Sequence, residues 1–180
     1  IKSLDISGIK QQLTKLMDEG INSLAICFMN SYINSAHENM VKEIAQGVGF
    51  DQISCSADLL PIQRIVPRGD TAVVDAYLTP VIKKYINSIK HSIPEADIQM
   101  MTSAGGLVDA KSFVGKDSIL SGPAGGVVGV SEVCRSAGID KAIGFDMGGT
   151  STDVCKYDGE FERRFNMEFK SVGKDGKNLG

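Results

Sequence analysis

The stretch Asp146-Met-Gly-Gly-Thr-Ser-Thr-Asp153, reached through the apolar run Ala142-Ile-Gly-Phe145, decides the reading of this chain. A buried strand delivers Asp146 to its end. Gly148 and Gly149 let the backbone turn without a Cβ, so that successive N–H groups face one concavity, and such a nest binds phosphate oxygens. Thr150, Ser151 and Thr152 add hydroxyl donors. Asp146 and Asp153 supply carboxylates suited to Mg²⁺, directly or through water. A plain hairpin turn is the competing reading. Two flanking carboxylates, three hydroxyls and a second turn at Asp158-Gly159 weigh for phosphate. Asp-Gly between strands is a hairpin signal, so residues 141–169 read as a three-strand antiparallel meander: Ala142–Met147, Thr152–Tyr157 and Glu160–Phe169.

Upstream, Ser121-Gly-Pro-Ala-Gly-Gly126 opens a helix reaching Ala137. Pro123 suits a first helical turn and Gly138 the residue past the end. Ser121, Gly122, Gly125 and Gly126 form a candidate anion site at a helix N-terminus, or a cap whose small residues permit close packing. Ser103-Ala-Gly-Gly-Leu107 follows the strand Ile98–Thr102, where open α/β sheets place ligands; Ser103, Gly105 and Gly106 are candidates there, against an ordinary turn. Arg64 and Arg68, in a loop expected over Pro61–Gly69, either meet an anion or tie the loop down.

Towards the N-terminus the pattern alternates. Apolar residues from Leu4 to Met17 recur at helical spacing, and Gly20 stops the helix. Ser23–Met29 reads as a buried strand, Asn34–Val48 as a helix and Gln52–Ser56 as a strand, which predicts an α/β layer with a mostly parallel sheet. Thr71–Ile89 carries Val73, Val74, Tyr77, Leu78, Val81, Ile82, Tyr85, Ile86 and Ile89, predicting a long core-facing helix kinked at Pro80.

Of 180 residues, 42% are apolar and 23% charged, with a net charge of -3, which describes a folded chain with no basic surface for nucleic acid and no span for a membrane. No signal peptide is visible at the start. The four cysteines, Cys27, Cys55, Cys134 and Cys155, lack zinc spacing and read as small thiols in a reducing, cytoplasmic setting. His37 and His91 read as surface residues.

DMGGTSTD, SGPAGGVVG, SAGGL and PRGDTAVVDAYLTPVI, in this order from the C-terminal side, together resemble the hydantoinase A/5-oxoprolinase family over roughly residues 20–165. RIVPRG and DGEF are closer to its 5-oxoprolinase branch than to acetone carboxylase subunits. The resemblance implies an α/β, partial actin-like ATPase (RNase H-like) fold. It implies the end of a first lobe over residues 1–120, a connecting helix over 121–138 and the opening meander of a second lobe over 139–180. Another D-x-G-G-T-type hairpin and the adenosine-holding segment of the family are expected outside this chain, so that it is expected to be inactive alone and to require the rest of a parent chain.

The implied activity is ATP-dependent opening of a cyclic amide, 5-oxoproline or a hydantoin, through phosphorylation of the amide oxygen. Asp146 and Asp153 are then the catalytic and Mg²⁺-holding residues, Gly148, Gly149, Thr150, Ser151 and Thr152 hold the ATP phosphates, and the segments at 121–126 and 103–106 line the cleft. A non-catalytic nucleotide-binding assembly module and an ATP-dependent ketone carboxylase subunit are the alternatives. The open edge of the meander is an expected contact with a second copy, giving a homo-oligomer.

Overall fold

The computed structural model describes residues 3–160, and the chain divides into two compact units on either side of the Gly125–Gly126 bond. The first unit opens with α1 (Ile6–Asp18), whose N-cap Asp5 accepts hydrogen bonds from the Gly8 N–H and the Ser7 hydroxyl, each at 3.0 Å. Then come β1 (Ser23–Ile26), α2 (Ala36–Val48) and β2 (Gln52–Cys55). Gly49 closes α2 at φ 114°, a left-handed conformation that glycine adopts without a Cβ penalty. β1 and β2 pair in parallel from Ser23↔Gln52 to Ile26↔Cys55. α1 and α2 bury Leu13, Val41, Ala45 and Phe50 together with Ile26 and Cys55 of the strands. The helix–strand alternation expected from the sequence is therefore present, with a parallel pair at its centre.

A short helix α3 (Ser56–Leu59) and the 28-residue helix α4 (Ile65–Ser92) follow. The loop expected over Pro61–Gly69 is shorter than the sequence suggested. Pro67 sits in the first turn of α4, where no intrahelical N–H is required of it, so it does not keep the helix from starting at Ile65. The expectation that the apolar stripe of this helix faces the core holds for only part of it: Val74, Leu78, Ile82 and Ile89 are half-buried and Ile86 is buried, with Ile82 and Ile86 in the cluster around Phe113. Val73, Tyr77, Val81 and Tyr85 are exposed, and the buried face carries Arg68, Ala72, Asp75, Ala76, Thr79 and Ile86. The small and polar residues win this face because they are hydrogen-bonded to the strands and loops they cover.

Two such polar anchors hold α4. At its first turn, Arg68 is fully buried. Its Nη1 donates to the hydroxyls of Ser31 and Ser56, and its Nη2 donates to the carbonyls of Phe28 and Met29 at 2.7 and 2.9 Å. Glu38, also fully buried, lies 3.9 Å from the guanidinium. Its carboxylate accepts from the Phe28 N–H (2.9 Å), the Ser56 hydroxyl (2.6 Å) and the Ala57 N–H (2.9 Å). Burial alone would raise the Glu38 pKa, but the donors from Ser56, Ala57, Ser31 and Phe28 outweigh it and hold the carboxyl below its ordinary 4.5. The Tyr32 ring stacks 5.7 Å from the guanidinium carbon, and only Nε of the arginine is left without a partner.

The second anchor is Asp75. Its carboxylate accepts from the Ser54 hydroxyl of β2 at 2.7 Å and the Lys116 N–H at 3.1 Å. The neighbouring Gly115 N–H donates to the Thr79 hydroxyl at 2.9 Å. A Cβ on Gly115 would stand 2.7 Å from the Thr79 nitrogen and 2.9 Å from the Asp75 carbonyl oxygen, both backbone atoms of α4. Only glycine permits this approach. Between the anchors and α5 (Ser121–Ala137), β3 (Gln99–Met101) and β4 (Leu107–Asp109) form an antiparallel hairpin over Ile86, Ala110 and Phe113. β3 therefore does not join a parallel sheet.

In the second unit, β5 (Lys141–Met147) and β6 (Thr152–Asp158) pair antiparallel from Lys141↔Asp158 to Met147↔Thr152. Two of the three expected meander strands are present; the third, over 160–169, lies outside the described residues except for Glu160. Cys55 and Cys134 are buried, Cys27 and Cys155 are half-buried, and all four are free thiols. Burial pushes the Cys55 thiol up to about 11, so it stays protonated and unreactive at neutral pH. His91 is exposed as expected, whereas His37 is partly covered, its ring set edge-on to that of Phe28 with the centroids 6.2 Å apart.

Substituting Arg68→Met leaves Glu38 charged and buried without its cation and is expected to lower stability by about 3–5 kcal/mol, with Arg68→Met/Glu38→Gln losing less than the sum of the two single changes. Because the Glu38 carboxyl is depressed in the folded state, its contribution is present above its unfolded value and is lost as pH falls through the folded value. Melting temperature followed from pH 6 down to about pH 3 should therefore fall less steeply for Glu38→Gln than for the wild type. Gly115→Ala, placed against the backbone of α4, is expected to cost about 1–3 kcal/mol in urea unfolding; an unchanged midpoint would show that the contact yields.

Candidate active site

The alternation of β5 sets what the Asp146 region can present. Ile143, Phe145 and Met147 are exposed on one face, whereas Gly144 is buried on the other. Asp146, two residues from Gly144, shares the Gly144 face. On that face a Cβ added to Gly144 would collide at 2.6 Å with Val130, and one added to Gly126 would lie 3.9 Å from the Asp146 carboxylate. Gly126 and Val130 are one helical turn apart on α5, so one edge of this helix runs over Asp146 and Gly144 in register.

Asp146 and Asp153 are direct partners across the two strands. Like charges placed opposite one another in an antiparallel pair destabilise it, and a cation between them would reverse the sign. The Met147↔Thr152 pair, one step further towards the turn, belongs to the opposite face, so Thr152 is separated from the two carboxylates by the pleat of the strands. The turn itself spans Gly148 to Ser151 and is closed by the Gly148 N–H donating to the Ser151 carbonyl at 2.9 Å. The N–H groups of Gly149 and Thr150 find no acceptor among the described residues. Neither Gly148 nor Gly149 lies in the left-handed region, and a Cβ on Gly149 would meet nothing within 4 Å. The turn does not itself require glycine at Gly149; the missing side chain leaves space at its tip.

The other two glycine segments meet each other within the first unit. Ser103–Gly106 is the loop of the β3–β4 hairpin, with Thr102 N–H donating to the Gly106 carbonyl at 2.8 Å and Gly105 at φ 79°. Ser103 is engaged: its N–H and hydroxyl donate to the Asp117 carbonyl at 2.7 and 2.8 Å, and its hydroxyl accepts from the Leu120 N–H at 3.0 Å. Ser121 opens α5 as expected, but its N–H and its hydroxyl both donate to the Ser118 carbonyl, at 3.2 and 2.9 Å. Its donors are therefore not free. With Pro123 lacking an N–H and Ala124 bonded to Leu120, Gly122 keeps the one N–H of this first turn with no acceptor among the described residues. A Cβ on Gly125 would touch the Met101 side chain at 3.7 Å, an ordinary contact. Of the two arginines in the upstream loop, Arg64 is exposed just before α4 and Arg68 is the internal anchor described above.

Comparison with known proteins assigns the class. Residues 68–176 match the hydantoinase/oxoprolinase family, and residues 1–49 match its N-terminal region. The chain belongs to the hydantoinase/oxoprolinase family. It is 49% identical over 170 residues to the 5-oxoprolinase of Saccharomyces cerevisiae and 46% identical over 168 residues to 5-oxoprolinase 1 of Arabidopsis thaliana, covering 92% and 91% of this chain respectively. It spans 13% of the length of each of these relatives. Among solved structures, the ATP-dependent caprolactamase of Pseudomonas jessenii matches with a TM-score of 0.76 and 28% identity, over 87% of this chain and 24% of that one. The fold is the α/β, actin-like ATPase type expected from the motifs, represented here by part of it.

Among the described residues no group of three His, Cys, Asp or Glu converges on one point, so the candidate cation donors are the opposed pair Asp146 and Asp153. That donor set fits Mg²⁺, which is commonly held by one or two carboxylates and otherwise by water and substrate phosphate. The residues that the sequence did not single out are Glu38, Asp75 and Gly115. Apart from the Thr79 hydroxyl, one turn from Asp75 on α4, the side-chain partners that fix them lie 10 to 41 positions away, beyond the reach of local pattern.

Gly125→Ala and Gly126→Ala separate packing from ligand approach. The methyl would sit at 3.7 or 3.9 Å from its nearest neighbour, and helix propensity favours Ala by about 1 kcal/mol. Both variants are expected to melt at or above the wild-type temperature. A fall in ATP affinity of the full-length protein without loss of stability would place these glycines beside the nucleotide; a fall in stability would assign them to packing.

Proposed function

We propose that the longer protein containing this chain opens a cyclic amide in an ATP-dependent reaction, with 5-oxo-L-proline as substrate and a hydantoin as the alternative ring. The observation that carries the proposal is the β5–β6 turn: two carboxylates directly opposed, with free N–H donors from Gly149 and Thr150 at the tip. The relatives named 5-oxoprolinase and the likeness to an ATP-dependent caprolactamase support the substrate class.

An amide carbonyl is a poor electrophile. ATP supplies a phosphoryl group to the amide oxygen, which turns that oxygen into a leaving group. In the balance one water is consumed for the ring C–N bond and one for the phosphoanhydride, giving the open-chain amino acid, ADP and phosphate. In this reading Asp146 and Asp153 hold Mg²⁺ and orient its waters. The Gly149 and Thr150 N–H groups and the Thr150 and Ser151 hydroxyls hold phosphate oxygens, so that charge developing on transfer meets donors already in place. Thr152 supports the strand pair on the other face. Gly122, Gly125 and Gly126 leave the start of α5 open to close approach, and Ser103, Gly105 and Gly106 shape the neighbouring hairpin. A cytoplasmic location is proposed alongside, supported by four free thiols. No helix among the described residues is long and apolar enough to cross a membrane.

The test is turnover of 5-oxoproline against hydantoin by the full-length protein, with ADP release followed in parallel. Asp146→Asn is expected to lower turnover at saturating Mg-ATP at least ~100-fold, and Asp153→Asn in the same direction. Neither should lower the melting temperature, because each removes one of two like charges facing across the strands. Near-wild-type turnover in both variants would overturn the assignment of the turn.

A further inference from the structure

Within the second unit, burial grades in step along a helix and the strand pair beneath it. On α5, Gly126, Val130 and Cys134 follow one another at single-turn spacing and are exposed, half-buried and buried in that order. On one face of β5–β6 the pairs Asp146↔Asp153, Gly144↔Cys155 and Ala142↔Tyr157 follow at two-residue spacing. Both carboxylates are exposed, Gly144 is buried with Cys155 half-buried, and Tyr157 is buried. Four helical residues advance about 6 Å and two strand residues about 7 Å, so the two rows keep step. Gly126 stands over Asp146, and Val130 over Gly144.

The contact at Gly144 is the last covered point before the carboxylates, and it has no slack. A Cβ on Gly144 would lie 2.6 Å from the Val130 side chain and 2.6 Å from the Cys155 Sγ, against 3.4–4 Å for an ordinary contact. The notch is thus filled from two sides, by a branched side chain of the helix and by a thiol of the partner strand. The β-branched valine has few rotamers into which it could retreat. The contact at Gly126 is different. A Cβ there would lie 3.9 Å from the Asp146 carboxylate, so the helix edge passes above the carboxylate without resting on it. The height of α5 over the two aspartates is therefore set one turn away, at Gly144, and not at the aspartates themselves.

We propose that Gly144 and Val130 are positioning residues, whose contact fixes the gap between the edge of α5 and the Asp146/Asp153 pair and so the room in which a divalent cation and a phosphate oxygen fit. The inference rests on the reading of those carboxylates as the Mg²⁺ donors, and both residues act through Asp146. A methyl group at position 144 would displace the helix edge by roughly 1 Å, and a displacement of that size can cost about 100-fold at a reacting centre.

The test is the calorimetric affinity of the full-length protein for a non-hydrolysable ATP analogue, measured once with Mg²⁺ and once with EDTA. Gly144→Ala is expected to weaken binding about tenfold or more in Mg²⁺ and less than about twofold in EDTA. Adding Val130→Ala leaves the Val130 Cβ 3.5 Å from the new methyl, with the Cys155 thiol free to turn about one bond. This double variant should return the Mg²⁺ affinity to within about threefold of wild type. Val130→Ala alone empties the notch and is expected to show the same Mg²⁺-specific loss at about threefold, which keeps the test open should Gly144→Ala fail to fold. Circular dichroism melts give the folded fraction of each variant. A contact that serves packing alone would lower that fraction and leave the affinity of the folded protein unchanged, or reduce it equally in both buffers. Either result overturns the inference, as does a double variant that binds no better than Gly144→Ala. Asp146→Asn, measured alongside, separates the two readings. If it loses the gain in affinity that Mg²⁺ brings while Gly144→Ala and Val130→Ala bind as wild type, the inference fails and the carboxylate reading stands. If Asp146→Asn keeps that gain, the carboxylate reading fails and the inference with it.

Discussion

A guanidinium removed from water must find acceptors, and in this chain that requirement fixes the first unit. Arg68 reaches two hydroxyls and two main-chain carbonyls, and it lies beside a carboxylate that is itself bound by two N–H groups and a serine. The segments so joined are the end of β1, the start of α2, the start of α3 and the first turn of α4. None of the four could move without leaving a buried charge or a buried donor unpaired, a penalty of several kcal/mol. An apolar contact at this place would have tolerated sliding. A forked, hydrogen-bonded cation sets both position and rotation of α4.

That rotation explains the rest of the helix. Once Arg68 points inward, Asp75, Thr79 and Ile86 must follow at helical intervals, and Val73, Tyr77 and Val81 must point out. Asp75 then receives the chain again after the β3–β4 hairpin, through the Lys116 N–H, and Gly115 lets that segment come down onto the helix backbone. The two anchors are seven residues apart, about two turns, and so lie on one line along the helix. The polar line is the structural axis of the unit, and the apolar residues behind it are left for other contacts.

This is also where sequence reading reaches its limit. The helix–strand alternation of the first fifty-five residues was legible because the helices carry their own period and end on Gly20 and Gly49, while the strands are short apolar-rich runs between them. The β5–β6 hairpin was legible because Asp146, the Gly-Gly turn and Asp153 sit within eight residues. The orientation of α4 was not, because nine apolar residues in its span spread round much of the circumference, and no local count separates a buried face from an exposed one. The deciding partners, Ser31, Glu38 and Ser54, lie 37, 30 and 21 positions from the arginine or aspartate that selects them. The engagement of Ser103 was hidden for the same reason, its acceptor, the Asp117 carbonyl, lying 14 positions on, whereas Ser121 is occupied by the Ser118 carbonyl three residues before it, a local turn that residue type alone does not show.

The second unit sets the opposite problem. Its hairpin places two carboxylates face to face, which a strand pair selected for stability alone would avoid, and α5 carries Gly126 directly above one of them, which helix propensity alone would disfavour. Each departure could be tolerated separately. Their coincidence on one face of the hairpin is harder to assign to packing, because a Cβ on Gly126 would clash with nothing and an Asn at either aspartate would relieve repulsion. Gly144, on the same face, is different: the Val130 side chain occupies the space a Cβ would need, so that glycine is explained by contact alone. The face thus grades from a packed end at Gly144 to an end at Asp146 and Asp153 where stability gives no account of the residues. A divalent cation and a phosphate chain would supply that account, the first by reversing the sign of the carboxylate pair and the second by occupying the room left above the Gly149 and Thr150 donors.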